Sequence, residues 1–140
     1  MLPVVKAVPD LRELELKIKP TQTKGKKILL CFCDLAQPAS QKYVLDLNEE
    51  AGRIESQGVI VAVLHCSKVN PGFADSWVRS NRVRLPVGKL PDVVPQVLRA
   101  WRVEKLPWLV MTDCDHIVIA EGFSQKELAE KIKEADNAKH

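Results

Sequence analysis

The chain has 140 residues, of which 46% are hydrophobic and 28% charged, and its formal net charge at pH 7 is +3. This length fits one domain with a single core, and the hydrophobic share excludes an intrinsically disordered chain. The basic residues are dispersed, so we do not expect a nucleic-acid binder, which needs a clustered basic face. The apolar runs, such as residues 59–64, are too short to span a bilayer, so we expect no membrane-spanning segment.

The first elements along the chain are predicted to be strands. Residues 14–18 alternate between apolar and polar side chains, which predicts a short edge strand. A turn at residues 24–26 then leads into residues 28–33, an uninterrupted apolar run. Such a run is typical of a strand that is buried on both faces of a sheet.

A helix and a second strand follow. Pro38 suits the first turn of a helix, and apolar residues recur at spacings of three and four from Val44 to Ile54. Gly58 is predicted to cap this helix, and residues 59–64 form the second buried strand. A strand, a helix and a strand in succession make a βαβ unit, so the two strands should be parallel.

The second half of the chain predicts three helices and a hairpin. Apolar spacing indicates short helices over residues 73–78 and 94–101, and strands over residues 107–111 and 117–120 that are joined by a tight turn. The segment from Ser124 to Glu127 matches a capping box and opens a last helix with an apolar stripe at Leu128, Ile132 and Ala135. The predicted order is therefore β-α-β, α, α, β-β-α.

Cys31 and Cys33 are two residues apart on a predicted strand, so their side chains share one face. In apolar surroundings the pKa of a thiol rises, and we therefore expect both cysteines to be inert core residues. A reactive pair at these positions is the less favoured interpretation.

The other two cysteines each have a histidine nearby. Cys66 follows His65 at the end of the second strand, and Cys114 precedes His116 by two residues in the hairpin turn. The paired spacings of a zinc site are missing, so we expect no metal site and no cofactor. Cys114 is predicted to be exposed.

The order of elements and several local segments resemble the thioredoxin-like superfamily. Residues 9–11, 24–26 and 28–32 resemble the entry of its redoxin branch, which includes TlpA-like thiol–disulfide oxidoreductases. Residues 32–40 resemble the segment from strand to helix that carries a Cys-Pro-x-Cys motif, and residues 101–107 resemble the approach to a cis-proline. The resemblance implies an α/β thioredoxin-like fold, with a central mixed β-sheet flanked by helices on both faces.

The sequence departs from this family where the chemistry takes place. The two motif cysteines are replaced by Gln37 and Ser40, and Cys31 stands where thioredoxins keep a buried acid. Disulfide exchange needs an attacking thiolate and a resolving thiol, so we expect no redox activity at this position. Whether the chain is an enzyme stays open, because the alternative is a redoxin-class oxidoreductase that uses a displaced cysteine, Cys66 or Cys114.

The resemblance still implies a binding groove for a protein or an extended peptide. Pro38 begins a helix whose positive end would face the groove, and Leu106–Pro107 supplies the expected cis bond. In the family, the residue before this proline presents its backbone to the peptide. The groove residues would be Asp34, Gln37, Pro38, Ala39, Ser40, Leu106 and Pro107. The alternative is that both prolines serve the fold alone, in a structural module without a ligand.

We expect one thioredoxin-like domain over residues 1–140, with its core at about residues 9–135. No signal peptide opens the chain, which fits a domain excised from a longer chain as well as a cytoplasmic protein. The resemblance favours the extracytoplasmic part of a longer bacterial protein. Trp77, Trp101 and Trp108 are expected to pack in the core.

Overall fold

The computed structural model describes residues 20–66, 71–89, 103 and 105–137. The elements in these ranges are α1 (Pro20–Thr23), β1 (Lys27–Cys33), α2 (Pro38–Glu55), β2 (Val59–His65), α3 (Pro71–Ser80), β3 (Val87–Lys89), β4 (Trp108–Thr112), β5 (Val118–Glu121), a 3₁₀ turn (Gln125–Glu127) and α4 (Leu128–Asn137). No helix in these ranges is both long and apolar enough to cross a membrane.

The strands form one mixed sheet in the order β3-β2-β1-β4-β5. Strand β1 runs parallel to β2, and β2 runs parallel to β3. Strand β4 runs antiparallel to both β1 and β5. The α/β fold class, the parallel βαβ unit and the hairpin are therefore confirmed.

Strand β1 lies at the centre of the sheet, and all of its residues are buried. Its side chains alternate between two apolar clusters, because successive residues of a strand point to opposite faces. Leu29, Cys31 and Cys33 belong to one cluster, whereas Leu30 and Phe32 belong to the other. Burial on both faces explains why the run at residues 28–33 contains no polar position.

Helix α2 covers the first of these faces with Val44, Leu47 and Ile54, which are at most 1% exposed. Each such side chain contributes about 1.5–3 kcal/mol to folding through its removal from water.

The prediction that Gly58 caps helix α2 is wrong. The helix ends at Glu55 with Ser56 as its C-cap, and Gly58 instead allows the turn into β2 by adopting a φ of +78°.

Helix α4 packs on the same face through Leu128, Ile132 and Ala135, as its apolar stripe predicts. The carboxylate of Glu127 accepts hydrogen bonds from both the backbone N–H and the hydroxyl of Ser124, at 3.2 Å each.

Strand β3 was not predicted, because a three-residue strand with a central glycine has no periodic pattern. The predicted strand at residues 14–18 and the predicted helix at residues 94–101, with Trp101, lie outside the described residues.

Candidate binding site at the carboxyl end of strand β1

Two of the predicted segments meet at one edge of the sheet. The register pairs Phe32 near the end of β1 with Trp108 at the start of β4. The residue before Trp108, Pro107, therefore lies beside the point where β1 leaves the sheet toward α2. The peptide bond between Leu106 and Pro107 is cis.

The loop between β1 and α2 is closed by short hydrogen bonds. The carboxylate of Asp34 accepts from the N–H of Ala36 at 3.0 Å, and the carbonyl of Asp34 accepts from the N–H of Gln37 at 2.9 Å. The N–H of Asp34 donates to the hydroxyl of Ser40 at 3.1 Å. Ser40 is completely buried, so its hydroxyl supports the loop and is not accessible to a substrate.

A second pair of hydrogen bonds fixes Leu35, at the tip of the loop. Its carbonyl accepts from the side-chain amide of Gln41 at 2.8 Å. Its N–H donates to Nδ1 of His65 at 3.1 Å, and His65 is only 2% exposed. The sequence analysis gave His65 no role of its own, although a polar residue at the end of an otherwise apolar strand was a usable signal.

The first turn of α2 faces solvent. Gln37 is the N-cap residue, and no hydrogen bond from its side chain caps the helix. Gln37, Pro38 and Ala39 are exposed, whereas Asp34 is half-buried. Three of the predicted groove residues can thus contact a partner directly, at the positive end of an 18-residue helix.

A small cleft lies beside Pro107. It has a volume of about 80 Å³. Its lining residues are Tyr43, Lys105, Pro107, Trp108, Gly122, Phe123 and Ser124. Pro107 is the predicted groove residue that lines this cleft, and the loop at residues 34–40 does not line it. The cleft residues on α2 and after β5 were missed, because contacts between distant segments leave no local signal in the sequence.

Gly122 forms one wall of the cleft through a close approach to Trp108. Its N–H donates to the carbonyl of Leu109 at 2.9 Å, and its φ is +69°. A Cβ atom at this position would lie 2.6 Å from the ring of Trp108, which is far below a normal contact. Only glycine therefore fits here without displacing the indole. Trp108 is half-buried, and no acceptor in the described part of the chain reaches its ring N–H.

Tyr43 links α2 to the 3₁₀ turn at Gln125, beside the cleft. Its hydroxyl oxygen accepts from the backbone N–H of Gln125 at 3.2 Å, and its carbonyl accepts from the side-chain amide of Gln125 at 2.7 Å. Burial raises the pKa of Tyr43, so the phenol keeps its proton at neutral pH. The hydroxyl oxygen is used as an acceptor, and its proton can be donated to a ligand.

Three of the four cysteines are unsuited to thiol chemistry. Cys31 and Cys33 are completely buried and lie on the same face, as predicted. The hydrogen bond that the protonated Cys33 thiol makes with Cys31, together with burial, raises the pKa of Cys33 well above its ordinary value. Burial raises the pKa of Cys66 to about 12, so its thiol is protonated at neutral pH. This counts against Cys66 as a displaced nucleophile.

Cys114 is exposed, as predicted, but it lies far from the cleft. It follows β4, which runs antiparallel to β1 and so carries the chain to the opposite end of the sheet. There Thr112 accepts a hydrogen bond from the N–H of Ile28 at 2.9 Å. Within the described ranges, no three metal-ligating side chains lie close enough together to hold a metal ion.

The raised pKa values of Cys33 and Cys66 make the native state less stable in alkaline solution. The unfolded chain ionises such thiols above about pH 8.5, whereas the folded chain keeps the Cys66 thiol protonated up to about pH 12. Their contribution to stability is therefore complete below pH ~8.5 and is lost as the pH rises. We expect the denaturant midpoint to fall between about pH 8 and about pH 10, and to fall less in Cys66→Ala. Equal slopes for the two proteins would contradict this assignment.

Comparison with solved structures identifies the fold as thioredoxin-like. A putative thioredoxin from Neisseria meningitidis is 14% identical with a TM-score of 0.73, and the match covers 96% of this chain and 89% of that one. A putative thiol:disulfide interchange protein DsbE from Chlorobium tepidum is 19% identical with a TM-score of 0.67, over 84% and 85% of the two chains. StoA from Bacillus subtilis is 14% identical with a TM-score of 0.68, over 94% and 98%. No family model and no curated protein sequence matches the chain.

Proposed function

We propose that the chain is a redox-inactive thioredoxin-like domain that binds an extended segment of another protein beside the cis bond at Pro107. The observation that carries the proposal is an accessible cleft at the edge of the sheet where exposed Gln37 begins helix α2. These two features support a peptide-binding surface that has no thiol at its centre.

The residues at the two motif positions, Gln37 and Ser40, cannot exchange disulfides. Gln37 carries a carboxamide, which has no thiolate form and cannot attack a disulfide. Ser40 is completely buried and its hydroxyl accepts a hydrogen bond from the N–H of Asp34, so a substrate cannot reach it. The cysteines nearest to this edge, Cys33 and Cys66, are buried and protonated at neutral pH.

The cleft suits one small side chain of an extended peptide. With a volume of about 80 Å³ and a rim that is open to solvent, the cleft would take one side chain of the peptide, and a small aliphatic or hydroxyl side chain would fit it best. The hydroxyl of Tyr43 and the ammonium group of Lys105 provide donors along its walls. Main-chain pairing would supply most of the affinity, as it does when a strand is added to an existing surface.

The proposal can be tested with an array of immobilised decapeptides of random sequence, probed with the purified natural chain. We expect a subset of peptides to be captured, and Ala39→Glu and Lys105→Glu to weaken the binding of that subset by at least about tenfold, which corresponds to ~1.4 kcal/mol. Ala39 lies on the exposed first turn of α2, and Lys105 lines the cleft.

Two variants elsewhere on the chain provide matched controls. Ala129→Glu makes the same substitution on the exposed first turn of α4, and Lys133→Glu makes the same charge change on its exposed face. Both should bind the peptides as the natural chain does. If the natural chain captures no peptide, or if the cleft variants behave as the controls do, the binding proposal is wrong.

The organisation as one domain over residues 1–140 and an extracytoplasmic location belong to the same proposal. The first is supported by one apolar cluster that extends from β1 to α4. The second is supported by the resemblance to redoxin-branch proteins, and detection of the natural protein in fractions of the cells that produce it would test it.

A further inference from the structure

We infer that His65 is the positioning residue of the loop that presents Gln37, and that its unprotonated imidazole is required for peptide binding. The statement about binding rests on the function proposed above. The statement about positioning does not, because it concerns the loop between β1 and α2 in the free protein.

The contact that carries this inference joins two segments that are distant in sequence. The N–H of Leu35 donates to Nδ1 of His65 at 3.1 Å, across 30 residues of chain. Leu35 is completely buried and His65 is 2% exposed, so water cannot replace either partner. A backbone donor aimed at Nδ1 requires that nitrogen to be unprotonated, which places the proton of the neutral ring on Nε2.

Both backbone groups of Leu35 depend on side chains. The carbonyl is held by Gln41 of α2 and the N–H by His65 of β2. Leu35 belongs to neither a helix nor a strand, so these two bonds replace the secondary structure that a buried backbone normally needs. Removing the imidazole acceptor would leave a buried N–H without a partner, which costs about 1–3 kcal/mol.

Protonation of His65 would break the same contact. A proton on Nδ1 would face the N–H of Leu35, so that two donors oppose each other, and a positive charge would be buried. Among the described residues, the titratable side chains beside His65 include Asp34 in the loop, Cys33 in register on β1 and Cys66 next in the chain, and the register also pairs His65 with Lys89 of β3.

The Asp34 carboxylate is the group of opposite charge among these neighbours, and its Oδ1 already accepts from the N–H of Ala36. If the charged ring turned toward Asp34, it would still abandon Leu35. Burial of the charge and the facing N–H both oppose protonation, so the ring should gain a proton only below the ordinary titration range of histidine, about pH 6.5, and the loop should loosen only there.

The experiment follows amide hydrogen exchange of Leu35 by NMR from about pH 7.5 to about pH 4.5, because the buried ring resists protonation, and the rates are corrected for the intrinsic pH dependence of exchange. The natural chain should lose protection at Leu35 by at least about tenfold over this range. In His65→Asn the side-chain oxygen can accept the same bond and cannot titrate, so protection should be independent of pH. In His65→Leu protection should be low at both ends of the range.

Peptide capture measured on the same proteins separates this inference from the proposed function. As the pH is lowered, the natural chain should capture less peptide, whereas capture by His65→Asn should stay constant. If no peptide binds at any pH but the exchange pattern holds, the positioning role stands and the proposed function fails. If His65→Leu protects Leu35 as well as the natural chain does, the positioning role is wrong. If the natural chain and His65→Asn show the same exchange profile over the whole pH range, the requirement for an unprotonated imidazole is wrong. The titration of the natural chain needs no variant, so a misfolded variant would not leave the question open.

Discussion

The double variant Gln37→Cys/Ser40→Cys should reduce insulin in the presence of dithiothreitol, whereas the natural chain should not. Gln37 is the exposed N-cap residue of α2, so a thiol there would lie at the positive end of a long helix, which lowers the pKa of the thiol. Ser40 lies one turn further on and is buried, as suits a resolving thiol. We expect the variant to accelerate insulin precipitation at least about tenfold over the reagent alone.

The single variants Gln37→Cys and Ser40→Cys are the controls for this experiment, because each carries one new thiol and cannot form the internal disulfide. Both should remain near the rate of the natural chain. Activity of the natural chain would show that one of its own four cysteines is catalytic, and the central inference would then be wrong. An inactive double variant that folds normally would show that these positions are not equivalent to the family's motif.

The substitution Gly122→Ala should destabilise the protein by about 2–5 kcal/mol. A side chain at a φ of +69° costs about 1–2 kcal/mol by itself. The added Cβ would also lie 2.6 Å from the ring of Trp108, and overpacking of this kind costs about 1–3 kcal/mol. Urea denaturation monitored by tryptophan fluorescence measures the loss.

Gly52→Ala provides a matched control for this substitution. Gly52 is exposed on α2, has no atom within 4 Å of an added Cβ and has a helical φ. Alanine should stabilise this helix by roughly 0.5–1 kcal/mol. A Gly122→Ala protein as stable as the natural chain would mean that the contact between Gly122 and Trp108 does not constrain the cleft.

The sequence predicted the central part of the fold well for a physical reason. A strand buried on both faces contains a continuous apolar run, and a helix on one face shows apolar residues every three or four positions, so β1, α2 and β2 were recognisable. Strand β3 was not recognisable, because its three residues are specified by pairing with β2 and not by their own pattern. The C-cap at Ser56 was missed because glycine often follows the end of a helix, and Gly58 was therefore predicted as the cap.

The sequence predicted only those residues of the candidate site that occupy positions of the Cys-Pro-x-Cys motif or precede the cis-proline. Gln37 and Ser40 were found by their positions relative to Pro38, but their different environments, one exposed and one buried, were not visible in the sequence. The contact from His65 to Leu35 and the contact from Tyr43 to Gln125 join segments 30 and 82 residues apart. Such contacts depend on how the loops pack over the sheet edge, and no local pattern of residue types reports them.

The position of Cys114 makes this chain convenient to attach to a surface. Of the four cysteines it alone is exposed, so a maleimide reagent at neutral pH should modify one defined site. The length of β4 separates that site from the cleft by about 17 Å, at ~3.4 Å per residue. A sensor chip or a fluorescent dye coupled through Cys114 would thus hold every molecule in the same orientation, with Pro107 and the first turn of α2 facing away from the support.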